Sequence, residues 1–344
     1  MRILIVAPSW IGDTILAQPL FMRLHEKHPD LALDVLAPSW TAPLLARMAE
    51  VRKVLRNPFA HGEFNLAARW RLGRELRAEN YDEVIVLPNS WKSALPPFFA
   101  GIPIRTGFVG EARVGLLNRR HQLDAEALPQ LAQRYAQLAE SPEAGAAAAT
   151  LATPLPQIHL TSTAAQQQAV RAALNLPAAT DVQPAIFCPG AEFGPAKRWP
   201  SRHFAALARL LAEDDIPVWL LGSNKDATLG DGIAQMSQGN ALNLCGRTTL
   251  EQAIDLIAGA RLVVSNDSGL MHVAAALDRP LYALYGSSSP VYTPPLSARA
   301  KIISLHAECS PCFKRACPLG HFNCMEQMKA ELVMNEIKSA APLT

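Results

Sequence analysis

The sequence predicts an α/β protein made of two doubly wound, Rossmann-like domains that face a central cleft, and three observations carry that prediction. Short apolar runs alternate with helical patterns up to about residue 140, break over residues 140–156, and then restart. The 344 residues, 49% hydrophobic and 18% charged, exceed the usual single domain and supply apolar material for two cores. The turns that follow the apolar runs hold the chemistry-bearing residues, as expected where ligands bind at the carboxyl ends of parallel strands. The domains so read are residues 1–150, residues 157–325, and a terminal helix over residues 326–344 that packs back on the first domain.

The opening run, Met1-Arg2-Ile3-Leu4-Ile5-Val6-Ala7, reads as a buried first strand. It meets Pro8-Ser9-Trp10 without a small-residue cleavage site, so no signal peptide is expected and a cytoplasmic location is. Residues 31–36 and 83–87 are the next strands, with helical periodicity over residues 15–24 and 66–77. Strand alternating with helix gives a parallel sheet covered on both faces. Residues 140–156 (ESPEAGAAAATLATPLP) lack an amphipathic pattern and read as a linker. Beyond it, strands are expected near residues 185–188, 218–221, 262–265 and 281–285, and helices near 204–211, 250–258 and 269–277. No apolar run approaches the ~20 residues that span a bilayer. A net charge of +2 argues against bulk nucleic-acid binding.

Four turns carry candidate chemistry. The first, Pro8-Ser9-Trp10-Ile11-Gly12-Asp13-Thr14, has one glycine and no dinucleotide fingerprint, but places an acid at the start of a helix. Asp13 there is either a helix N-cap or a reacting carboxylate. The second, Cys188-Pro189-Gly190-Ala191-Glu192-Phe193-Gly194-Pro195-Ala196-Lys197-Arg198-Trp199-Pro200, follows a strand and ends in cations. It suits phosphate oxygens, or is a surface turn with a solvated Lys-Arg pair. The third, Asn266-Asp267-Ser268-Gly269-Leu270-Met271-His272, joins a buried strand to a small-residue helix. Ser268, the Gly269 backbone and His272 share the positive end of that helix, where an anion would sit; the alternative for His272 is a core histidine. Gly286-Ser287-Ser288-Ser289-Pro290 forms the adjacent wall.

With these turns in place, the sequence resembles the ADP-heptose-dependent heptosyltransferases of glycosyltransferase family 9, over nearly the whole chain up to about residue 300. The resemblance rests on PSWIGD, LPNSWKSALPPFFAGIPIRTG, CPGAEFGPAKRWP and NDSGLMHVAAALDRPLYALYGSSSP. The second string favours the branch that adds the second heptose of the lipopolysaccharide inner core. The resemblance implies a GT-B fold and an inverting transfer of L-glycero-D-manno-heptose from ADP-heptose to the first heptose of heptosyl-Kdo2-lipid A, at the inner face of the cytoplasmic membrane. It implies that Asp13 is the general base and that Lys197 neutralises the donor diphosphate. Asp267, Ser268, Gly269 and His272 would hold the diphosphate and ribose end of ADP, Asp226 the ribose hydroxyls, and the Thr248 backbone the adenine. Heptosyltransferases of the first-heptose branch and nucleotide-sugar epimerases are the alternatives. The absence of an Asp-x-Asp motif leaves catalysis with no required cofactor.

Two further features carry candidate chemistry. Arg69, Arg71, Arg74 and Arg77 recur along one predicted helix, with Lys92, Arg105 and Arg113 in nearby loops. Arg74, Lys92, Arg105 and Arg113 are candidate contacts for an anionic acceptor, against the plainer reading of a solvated face. Cys309, Cys312, Cys317 and Cys324 fall within sixteen residues, near His306 and His321. Such spacing suits a structural zinc ion or an iron–sulfur cluster, or a segment of thiols that merely pack.

Overall fold

A computed structural model describes residues 1–60, 62–142, 155–178 and 181–340. The chain divides into two compact units, residues 1–158 and 159–344. The linker expected over residues 140–156 lies mostly outside the described residues.

The first unit runs β1 (Arg2–Val6), α1 (Ile11–Leu16), α2 (Gln18–Lys27), β2 (Ala32–Ala37), α3 (Ala42–Leu45) and β3 (Lys53–Arg56). It continues through α4 (Leu66–Arg77), β4 (Glu83–Val86), α5 (Leu95–Ala100), β5 (Ile104–Phe108), β6 (Arg119–His121) and α6 (Leu131–Gln137). The six strands form one parallel sheet in the order β3-β2-β1-β4-β5-β6. Ile3, Leu4, Ile5 and Val84 are fully buried, as a sheet covered on both faces requires. The single helix expected over residues 15–24 is two, broken at Ala17. Pro19 stands in the first turn of α2, where its missing N–H is not needed; within a continuous helix it would clash with the turn before it.

The second unit runs α7 (Ala164–Ala173), β7 (Ala185–Cys188), α8 (Ser201–Ala212), β8 (Val218–Leu220), α9 (Ala227–Met236) and β9 (Ala241–Asn243). It continues through α10 (Leu250–Ala258), β10 (Leu262–Asn266), α11 (Gly269–Ala276), β11 (Leu281–Tyr285), β12 (Ala300–Ser304), α12 (Asn323–Glu326) and α13 (Ala330–Ala340). Its parallel sheet has the order β12-β11-β10-β7-β8-β9. Numbered from its own first strand, that is the same 3-2-1-4-5-6 order as in the first unit. Each sheet therefore has one point where the winding reverses, between β1 and β4 and between β7 and β10. The terminal helix, for which the sequence suggested packing on the first domain, has its apolar stripe in the core of the second unit. Val333, Met334 and Ile337 are buried there, and α13 lies against α8. Tyr282 Oη donates to the Ile337 carbonyl at 3.4 Å.

Candidate functional site

The reversal point of a doubly wound sheet leaves a crevice outside the strand ends, because the two flanking loops turn to opposite faces. In the second unit those loops follow β7 and β10, and the second and third candidate turns of the sequence are these loops. Asn266, at the end of β10 and fully buried, ties them together. Its Nδ2 donates to the Pro189 carbonyl at 2.7 Å, and its Oδ1 accepts from the Trp199 N–H at 3.0 Å. Trp199 is itself buried, and its indole N–H donates to the Met328 carbonyl at 2.6 Å.

This frame sets Lys197 in the short 3-10 turn Pro195–Lys197, with its ammonium 2.5 Å from Asp267 Oδ2. Neither residue is a solvated surface charge: the side chains are 19% and 6% exposed. Ser268 is the N-cap of α11, yet no side chain caps that helix; the Ser268 hydroxyl lies 3.2 Å from Ser265 Oγ instead. The first-turn N–H groups of α11 thus keep their partial positive charge for an anion. His272 lies one turn inside, buried, with Nδ1 lacking a hydrogen-bond partner among the described residues. Burial pushes its imidazole down to about 4, with Asp267 pulling upward and Lys197 downward. At neutral pH it is an uncharged imidazole.

Asp226 sits beside this crevice in the loop after β8, buried. Its Oδ2 accepts from the Ser223 N–H at 2.9 Å and the Ser223 hydroxyl at 2.7 Å. A Cβ on Gly190 would fall 2.6–2.8 Å from its carboxylate, and one on Gly222 would fall 3.0 Å from its Cβ. Both glycines are needed for the loops after β7 and β8 to close around this acid. Thr248 stands half-buried in the turn before α10, next to its N-cap Thr249. The second unit therefore brings Lys197, Asp267, Ser268, Gly269 and His272 to one reversal point, with Asp226 beside them. Asn266 and Gly190, which hold the loops, were quoted within the sequence motifs but not singled out. The signal for Asn266 was an amide at the end of the strand that opens with the apolar run Leu262-Val263-Val264.

In the first unit the reversal point lies between β1 and β4. Asp13 is in the loop-to-helix turn after β1, half-buried in the first turn of α1. It is not the N-cap: that position is Trp10, three residues earlier. The capping alternative is thereby corrected, since a carboxylate three residues into the helix cannot serve as its N-cap acceptor. The acceptor candidates separate into two groups. Arg105 donates to the Leu116 and Ile102 carbonyls, at 2.7 and 2.6 Å. Arg113 is buried and donates to the Pro88 and Phe108 carbonyls and to Asn89 Oδ1. Both guanidiniums brace loops, and burial lowers the pKa of each. Lys92, after β4, donates to the Gly62 carbonyl at 3.1 Å, while Arg74 is exposed on α4 with its guanidinium 5.1 Å from the Trp70 ring centroid. Arg69, on the same helix, is buried over the Phe59 ring.

Cys309, Cys312, Cys317 and Cys324 line one small cavity with His321, and all four are free thiols. Among the described residues no group of three or more His, Cys, Asp or Glu side chains is placed to hold a metal ion. Burial, and then the neighbouring thiols of Cys309, Cys312 and Cys317, raise the Cys324 pKa, so the four cysteines face one another across that cavity. The described residues also contain no helix long and apolar enough to cross a membrane.

Comparison with known proteins places these features in a family. The family model described as glycosyltransferase family 9 (heptosyltransferase) matches residues 69–323. The chain is 44% identical to lipopolysaccharide heptosyltransferase 2 of Salmonella typhimurium, over 98% of each chain. Identity to lipopolysaccharide heptosyltransferase 1 of Escherichia coli is 28%, over 84% of this chain and 89% of that one. Among solved structures, that of the E. coli ADP-heptose lipopolysaccharide heptosyltransferase II superposes with a TM-score of 0.88 at 42% identity, covering 98% of both chains.

Proposed function

The chain belongs to glycosyltransferase family 9, and we propose that it transfers L-glycero-D-manno-heptose from ADP-heptose to the first heptose of the lipopolysaccharide inner core. It is a glycosyltransferase of the GT-B fold. The observation that carries the choice of reaction is full-length identity: 44% to a second-heptose enzyme against 28% to a first-heptose enzyme. Incubation with ADP-heptose and heptosyl-Kdo2-lipid A tests it. ADP should appear only when that acceptor is present. Release without acceptor, or equal use of Kdo2-lipid A lacking heptose, would overturn the assignment.

The transfer is a single in-line displacement that inverts the anomeric carbon. Asp13 takes the proton from the acceptor hydroxyl as that oxygen bonds to the anomeric carbon and the bond to ADP breaks. Negative charge then develops on the β-phosphate. Lys197 and the uncapped start of α11 are preorganised to stabilise it, with Ser268, Gly269 and neutral His272 as donors. Asp267 holds Lys197 in position before the donor arrives. Asp226 accepts from the ribose hydroxyls, and the Thr248 backbone reads adenine.

The acceptor carries carboxylates and phosphates on a lipid, so cations of the first unit recognise it at the inner face of the cytoplasmic membrane. Arg74, exposed on α4, and Lys92, with one carbonyl partner, are the residues for this role, whereas Arg105 and Arg113 each donate to two backbone carbonyls. The transfer itself calls on no residue of the cysteine cluster.

A further inference from the structure

We propose that Arg315, on the cysteine-rich loop, is a second cation for the donor diphosphate, so that this loop completes the donor site. The inference rests on the donor reading above and adds a residue to it. The first observation is contact between backbones. The Arg315 carbonyl accepts from the Ala196 N–H at 3.0 Å, one residue before Lys197. Any Cβ at Gly194 would fall against that carbonyl, so glycine there is what lets the two loops meet. The loop is also fixed at its other side, where the Phe313 N–H donates to the Ser287 carbonyl at 2.7 Å and the Ser310 hydroxyl to the Gly286 carbonyl. It thus spans the turn after β7 and the turn after β11.

The second observation is where this docking delivers charge. Arg315 Cζ lies 5.4 Å from the centroid of the Phe193 ring, and Lys197 Nζ lies 5.3 Å from the same centroid. Two cations share one aromatic ring, which attracts both and cancels neither charge. Charge arithmetic then favours an anion. Lys197 is paired with Asp267 at 2.5 Å, so that pair is neutral before donor binds. Among the described residues Arg315 has no carboxylate partner, so it adds one positive charge to that pair. A leaving diphosphate gains charge in the transition state, and a neutral ion pair alone answers it poorly. Arg315 supplies the missing unit, and its planar fork suits phosphate oxygens.

Calorimetric titration of ADP and of adenosine into the full chain tests this, with Arg315→Ala, Arg315→Lys and Lys197→Ala alongside wild type. Arg315→Ala should weaken ADP on the order of tenfold and leave adenosine unchanged. Arg315→Lys, which keeps the charge, should recover most of the loss. An ADP affinity within twofold of wild type in Arg315→Ala, while Lys197→Ala is crippled, removes Arg315 from the site and leaves the donor reading standing. If Lys197→Ala also binds ADP normally, the donor reading itself fails. Equal losses for ADP and adenosine in Arg315→Ala would mean a displaced loop and no phosphate contact, and would also overturn the proposal.

Discussion

At the scale of single residues, two side chains do different work because their surroundings differ. Asp13 is half-buried in the first turn of α1, three residues past the N-cap Trp10. Asp13→Asn should cut turnover by about 10²–10⁴-fold while ADP-heptose affinity hardly moves. Steady-state kinetics with a separate donor titration checks this, and full turnover at saturation would show that the acid is structural. His272 reports its own burial. An unfolded histidine takes its proton near pH 6.5, whereas this one resists until about 4. Between those values the unfolded chain binds more protons, so stability falls as pH drops from 6.5 toward 4 and is insensitive to this group above 7. Denaturant midpoints measured from pH 7.5 to 4.5 should fall less steeply in His272→Gln than in wild type. Identical slopes would mean that the imidazole titrates normally.

At the scale of elements, the donor site depends on a few buried polar atoms that hold loops to strand ends. Asn266→Ala would leave the Trp199 N–H and the Pro189 carbonyl unpaired, each costing roughly 1–3 kcal/mol. We expect a lower melting temperature together with weaker ADP binding, because Lys197 lies between the two tethered segments. Loss of stability with unchanged ADP affinity would show that the loops hold their shape without it. The same scale explains what could be read in advance. The central strands β1, β7 and β11 announce themselves as near-continuous apolar runs, as does the start of β10, because burial on both faces favours apolar side chains. The peripheral strands β3, β5, β6, β9 and β12 do not. Lys53–Arg56 and Ala300–Ser304 are half-exposed edges with mixed composition, and β6 and β9 have three residues each. The phosphate-site motifs were legible because a turn after a buried strand has few uses for Lys, Ser and His together. Arg105 and Arg113 bond to backbone carbonyls across loops, and nothing local in sequence distinguishes such an arginine from a solvated one.

At the scale of the whole molecule, the division into units has a consequence for ligand-induced protection. Every residue assigned to ADP lies within residues 159–344, and Asp13 and the acceptor cations lie within residues 1–158. Each unit has its own parallel sheet, and the apolar face of α13 is in the core of the second. Ligand that binds only the native second unit stabilises it by RT ln(1 + [L]/Kd), about 2.7 kcal/mol at a hundredfold excess over Kd. Amides that exchange through opening of that unit should slow by about a hundredfold under those conditions. Hydrogen exchange followed by mass spectrometry can read this peptide by peptide in the intact chain. With saturating ADP, protection should concentrate in the turns after β7, β8, β10 and β11 and in the strands they close, with peptides of residues 1–142 little changed. Adding a soluble acceptor analogue should then protect the turns after β1 and β4, where Asp13 and Lys92 stand. Uniform protection of both units by ADP alone would show that they open as one cooperative body, and would end any treatment of donor binding as a property of the second unit.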